Sequence, residues 1–211
     1  MPAELWLPDT SVLFDIARSL LAERPELVGQ DVAAKQALRR AEAGEIEIGI
    51  IDLVSAEVRH NRSSRRDSIA QDLRTGDNRR YGKRGERPDP RTPEERRDIV
   101  FGIIDRLIDI GRPIATEVDD VKRADLRYAD RIPPAASKGG NPQDARIVEI
   151  ALRVSRGRPP RSSVLVVNNP NDYEQDGRLH DAGRAPRGAR ADRWGLQEEF
   201  DDAGLVYRRH W

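Results

Sequence analysis

The sequence predicts a doubly wound α/β fold: a mainly parallel sheet flanked by helices, in one domain. Three observations carry that expectation. Short segments rich in β-branched residues, such as Ile46–Val54 (IEIGIIDLV) and Ser163–Val167 (SVLVV), read as buried strands. Other stretches repeat apolar residues at i, i+3, i+4 and i+7, the spacing of a helix with one buried face. The two kinds alternate along the chain, as β–α–β units do. The 211 residues suffice for one substantial core but not for two comfortable ones. A single domain over 1–211 is expected, with a basic insertion at about 75–91.

Each element has a local reason. Glu4–Pro8 (ELWLP) is a short apolar-leaning strand that ends at Asp9. Behind it Val12, Leu13, Ile16, Ala17 and Leu20 form a helical stripe. A second helix is expected over Val32–Ala43, with Asp31 as cap and Gly44 as the residue that ends it. After the strand Ile46–Val54, Ser55 is expected to cap a polar helix that carries Glu57, His60, Asn61, Arg62, Arg65 and Arg66. Thr75–Asp89 is rich in turn residues and has no periodicity, so it reads as an exposed loop. Thr92-Pro93-Glu94-Glu95 is a strong helix start, with a Thr cap, Pro at the first position and Glu at the third. That helix should end at Gly111 and Pro113, and another should run from Thr116 and Asp119 to about Tyr128. A Gly-rich loop then leads to Asp144 and a helix whose apolar stripe is Ile147, Ile150, Ala151 and Val154. The strand SVLVV delivers Asn168 to Tyr173, and a long polar loop fills Glu174–Arg190. A last helix, stopped by Gly204, precedes a short terminal strand.

Composition removes several function classes. Without cysteine there is neither a disulfide framework nor a thiolate metal site. The first residues lack a signal pattern, and no apolar run approaches the ~18 residues of a membrane span. A cytoplasmic protein with no membrane partner is expected. Net charge is zero, yet the charge is unevenly spread: Arg59–Arg97 holds 13 Lys or Arg against 7 Asp or Glu. Arginine suits bidentate phosphate contacts, although a GC-rich genome produces the same bias. The three histidines, His60, His180 and His210, are scattered and read as surface residues. No GxxxxGK[ST] loop, GxGxxG turn or GxSxG elbow occurs. Asp9 lacks a second acid two residues on, which argues against a covalent aspartyl mechanism.

What remains is a set of acids at strand ends and helix starts. Open α/β sheets bind ligands at the carboxyl ends of their strands. Asp9, Glu57, Asp144 and the Asn168–Asp172 segment would reach that edge together. For Asp144 the plain alternative is a helix cap, stabilised by free backbone N–H groups and the helix dipole. Carboxylates without Cys and with little His suit a hard cation, Mg²⁺ or Mn²⁺. Such ions support in-line phosphoryl displacement.

The motifs LPDTSVLFD, VSAEV, GGNPQDARIVEIAL and VLVVNNPNDY, in this order, resemble the acidic landmarks of PIN-domain nucleases. The resemblance covers most of the chain, and the ending EFDDAGLVY is also similar to PIN-like proteins. It implies a metal-dependent ribonuclease in which Asp9, Glu57 and Asp144 hold Mg²⁺ or Mn²⁺. The fourth position departs from the family's pattern: Asn169 stands where some members carry an acid, and Asp172 precedes Tyr173. Asn169 would position a water, while Asp172 would complete the metal site or cap the next turn. Arg62, Arg65, Arg66, Arg79 and Arg80 are the expected contacts to RNA, with DNA not distinguished. The family includes toxins, so an antitoxin or other regulatory protein is an expected partner, as is a second copy of the chain. Two alternatives stay open: a degenerate nucleic-acid or partner-binding module, and a Mg²⁺-dependent phosphohydrolase of small phosphoesters.

Overall fold

Strands between two helical layers must be apolar on both faces, and β1 (Glu4–Pro8) and β4 (Ser163–Val167) are: Leu5, Leu7, Val164, Leu165, Val166 and Val167 are all completely buried. They belong to a computed structural model of the chain, in which residues 3–19, 29–63, 91–130, 134, 142–167 and 195–209 are described. In order, the elements are β1, α1 (Thr10–Ser19), α2 (Gly29–Glu42), β2 (Ile46–Ile51), α3 (Asp52–Ser63) and α4 (Pro93–Ile110). There follow β3 (Arg112–Ile114), α5 (Val118–Ala129), α6 (Pro142–Arg156), β4, α7 (Gly195–Ala203) and β5 (Leu205–Arg209).

The five strands form one all-parallel sheet in the order β3-β2-β1-β4-β5. The chain therefore winds outward from β1 to β3, then crosses back and winds outward again through β4 and β5. Parallel crossovers are almost always right-handed, which puts α1–α4 on one face and α5–α7 on the other. The packing agrees: α1 lies against α2, α3 and α4, whereas α6 lies against α5 and α7. This is the doubly wound architecture expected from the alternation of segments. Between β1 and β4 the strand order reverses. Pro8 is paired there with Val166, and the Asp9 N–H donates to the Val166 carbonyl at 2.8 Å.

Local signals hold at most helix ends. Thr92 accepts from the Glu95 N–H at 3.1 Å while the Glu95 carboxylate accepts from the Thr92 N–H at 2.6 Å, a complete capping box. Gly204 joins α7 to β5 with φ +65°, and a Cβ there would lie 2.8 Å from Pro160 Cα, so only glycine fits without strain.

α2 starts at Gly29, so Asp31 lies within its first turn rather than capping it. Three further boundaries differ from the sequence reading. β2 stops at Ile51, and the helix starts at Asp52 rather than after Ser55. Val54, which reads as strand because it is β-branched, instead turns its side chain into the core from the first turn of α3. The cause is Asp52: its carboxylate accepts from the Leu53 N–H at 2.7 Å and from both the N–H and the hydroxyl of Thr116. The second is α5, which begins at Val118 behind Glu117 rather than at Thr116. The third difference is β3, a three-residue strand where only a helix terminus was expected. Pro113 lacks an N–H and is tolerated because β3 is an edge strand. The expected loops at Thr75–Asp89 and Glu174–Arg190 lie outside the described residues.

The second helical layer is tied by ion pairs of low exposure. Arg127, 7% exposed, donates through Nε at 2.8 Å to Glu149, also 7% exposed, and through Nη2 to Glu149 and Glu199 at 2.5 Å each. Removing one partner of such a pair leaves the other charged and dry. Arg127→Met should therefore cost about 3–5 kcal/mol in chemical denaturation, and adding Glu149→Leu should restore part of the loss.

Burial alone would raise the pKa of Asp52, but the hydroxyl and N–H of Thr116, the Leu53 N–H and the charge of Arg153 outweigh it and hold it below its ordinary value. A lowered carboxylate pKa contributes stability that is present above the unfolded pKa of about 4 and is lost as pH falls through the folded value. Thr116→Val should narrow the difference in melting temperature between pH 7 and pH 3, measured against wild type.

Candidate active site at the β1–β4 switch point

Asp9 follows the last residue of β1 and is 6% exposed, rare burial for a carboxylate. Its position follows from the sequence, since a strand ending in Pro8 hands directly to a helix starting at Thr10. The Asp9 carbonyl accepts from the N–H groups of Val12 and Leu13, so the backbone of Asp9 starts α1 while its side chain stays outside the helix. The carboxylate is held by its two successors. The Thr10 N–H donates to Oδ1 at 2.7 Å and the Ser11 hydroxyl to Oδ2 at 2.8 Å. Charge-assisted bonds of this kind offset the desolvation of a buried carboxylate.

Thr10 serves two carboxylates at once. Its N–H is on Asp9, and its hydroxyl donates to Glu57 Oε2 at 2.8 Å across 47 residues of sequence. Glu57 stands in the second turn of α3, five residues past the helix start at Asp52, with Val54 and Val58 buried on either side of it in sequence. The same Oε2 accepts from Gln143 Nε2 at 2.8 Å. Gln143 belongs to the first turn of α6, on the opposite face of the sheet, and Asp144 is the next residue. Pro142 is the first helical residue there, a position where its missing N–H costs nothing. Asp144 thus lies in the first turn as the sequence predicts, where the helix dipole favours a negative charge.

Asp9 and Glu57 are therefore joined through one residue, and the turn that carries Asp144 is bonded to Glu57. Among the described residues, no group of three or more His, Asp or Glu side chains is gathered closely enough to hold a metal ion. The donor chemistry still suits a hard cation, because Mg²⁺ commonly takes one or two carboxylates and keeps several waters. Asn169 and Asp172 lie outside the described residues, as do Arg65, Arg66, Arg79 and Arg80. Sequence reasoning missed Thr10, Ser11 and Gln143 as parts of the site. The signal available was adjacency: each directly neighbours a predicted acid or follows one within two positions.

Arg62 is placed well along α3 from Glu57. Its guanidinium donates to Asp105 at 2.6 Å and lies 4.4 Å from the Phe101 ring centre. Arg97 covers the same ring at 4.8 Å, and Phe14 meets it edge-on at 6.4 Å. Arg62 is thus anchored in the α3–α4 packing with 40% of its side chain still exposed. His60 is exposed, in keeping with a surface role.

Tyr207 of β5 stacks on Phe200 with ring centres 6.4 Å apart and pairs in register with Leu165, itself paired with Leu7. Burial, and then the negative charge of Asp9, push its phenol well above the ordinary value of about 10. A raised acid pKa favours the neutral folded form, so its stability contribution is complete below the unfolded value and is lost as pH rises. Spectrophotometric titration should show one of the four tyrosines ionising only when the chain unfolds, and Tyr207→Phe should remove that component.

Comparison with models of known protein families, with curated proteins and with solved structures gave no match.

Proposed function

We propose that the chain is a PIN-like, metal-dependent ribonuclease whose active edge is built on Asp9, Glu57 and Asp144. The observation that carries the reading is the double use of Thr10, which bonds the carboxylates of both Asp9 and Glu57 at the point where the strand order reverses. Ligands of open α/β sheets bind at such points, and paired carboxylates there match a hard-cation site better than any nucleophile or nucleotide loop.

Asp9, Glu57 and Asp144 would hold Mg²⁺ or Mn²⁺, with Asn169 or Asp172 completing the set. When bound, such a cation neutralises charge on the scissile phosphate and lowers the pKa of a bound water. The chain's own part is orientation. Thr10 and Ser11 fix both oxygens of Asp9, and the near-complete burial of Asp9 excludes bulk water from one side of it. Arg62, with Arg65, Arg66, Arg79 and Arg80, would bind the RNA backbone. The anchoring of Arg62 on Phe101 and Asp105 presents its guanidinium at little entropic cost.

The test combines cleavage, binding and metal response. Asp9→Asn, Glu57→Gln and Asp144→Asn should each lower cleavage of single-stranded RNA by more than the about 10- to 100-fold typical of removing an outer-shell partner. RNA binding should survive in all three and weaken steeply with salt, since it rests on arginine–phosphate contacts. The melting temperature of wild type should rise with Mn²⁺, and that of Asp144→Asn should rise much less. Retained binding without cleavage in wild type would mark a binding module, and salt-independent binding would point to a small phosphoester.

A further inference from the structure

The bond from Gln143 to Glu57 joins two helices on opposite faces of the sheet, 86 residues apart in sequence. It reaches the same oxygen, Oε2, that accepts from the Thr10 hydroxyl. Two donors at 2.8 Å fill the two lone-pair directions of one carboxylate oxygen. Among the described residues nothing donates to the other oxygen, Oε1. A glutamate side chain has three rotatable bonds, and it would otherwise present either oxygen in several orientations. Here one oxygen is spent on the protein and one is left for a ligand.

We propose that Gln143 is a positioning residue for Glu57: with Thr10 it pins Oε2, so that Oε1 alone is offered to a cation. The inference rests on the nuclease reading of this edge and adds a residue to it. It also gives α6 a second task. The turn that presents Asp144 is the turn that orients Glu57, so the two acids are set in one operation although they stand on opposite faces of the sheet. Gln143 suits this because its amide donates without adding charge. A lysine would neutralise Glu57 as a ligand, and a second glutamate would repel it.

The test uses the full chain with Mn²⁺ alone, then with a labelled single-stranded RNA. Gln143→Met keeps the length and removes the donor; Gln143→Ala removes both and guards against a packing artefact of the first. Loss of such a partner should weaken Mn²⁺ binding by calorimetry about 10-fold. kcat for RNA should fall while KM stays near the wild-type value, because no RNA contact is lost. A role confined to joining α3 and α6 would lower the melting temperature in chelator but leave Mn²⁺ affinity at low temperature unchanged. Wild-type Mn²⁺ affinity in both variants therefore overturns the positioning role and leaves the nuclease reading standing. Absence of Mn²⁺ binding in wild type overturns both.

Discussion

Everything at this edge depends on one constraint of the sheet: all five strands run parallel, yet the order reverses between β1 and β4. Parallel neighbours must be joined by crossovers, and crossovers of one hand send the first four helices and the last three to opposite faces. At the reversal no helix can cover the gap, because the chain leaves β1 and β4 in different directions. The Asp9 N–H closes the ladder on Val166, and its side chain is left at the opening. A side chain from either helical layer can reach that spot. Glu57 arrives from one and Gln143 from the other. The topology thus explains why residues from distant parts of the chain meet here.

How much was legible in the sequence followed from how local each cause was. The capping box at Thr92, the stops at Gly44 and Gly204 and the strand SVLVV are decided within five residues, and each is found as expected. The start of α3 was not, since Val54 and Ile51 look alike to a β-propensity argument. Asp52 decides the matter through Thr116, 64 residues away. β3 escaped notice because three residues containing a proline carry almost no strand signal. The candidate site divides in the same way. Asp9 and Asp144 could be placed from junction patterns alone. Gln143 could not, because its importance lies wholly in a contact with α3.

Acidic groups in this protein are handled in two distinct ways. In the layer of α5–α7 buried carboxylates are neutralised: Glu149 by Arg127, and Asp120 by Arg153 at 2.9 Å. At the β1–β4 opening neutral groups donate to the acids: Thr10 and Ser11 to Asp9, and Thr10 and Gln143 to Glu57. Neutral donors relieve burial without cancelling the charge. The negative charge of Asp9 is felt as far as the Tyr207 phenol.

The two rims of the sheet have a bearing on how the protein behaves at high concentration. An open sheet always presents two outer strands whose unpaired N–H and C=O groups can recruit a strand from another molecule. Here one rim is β3, three residues long and interrupted by Pro113. The other is β5, which ends in Arg208 and Arg209, with the Arg208 guanidinium 4.8 Å from the Trp6 ring. A short proline-bearing strand offers too few rungs for a stable foreign ladder, and the paired cations of β5 would face their own copies in a parallel, in-register stack. An apolar parallel sheet of this kind is thereby shielded from templating its own aggregation at the very strands where its backbone is open.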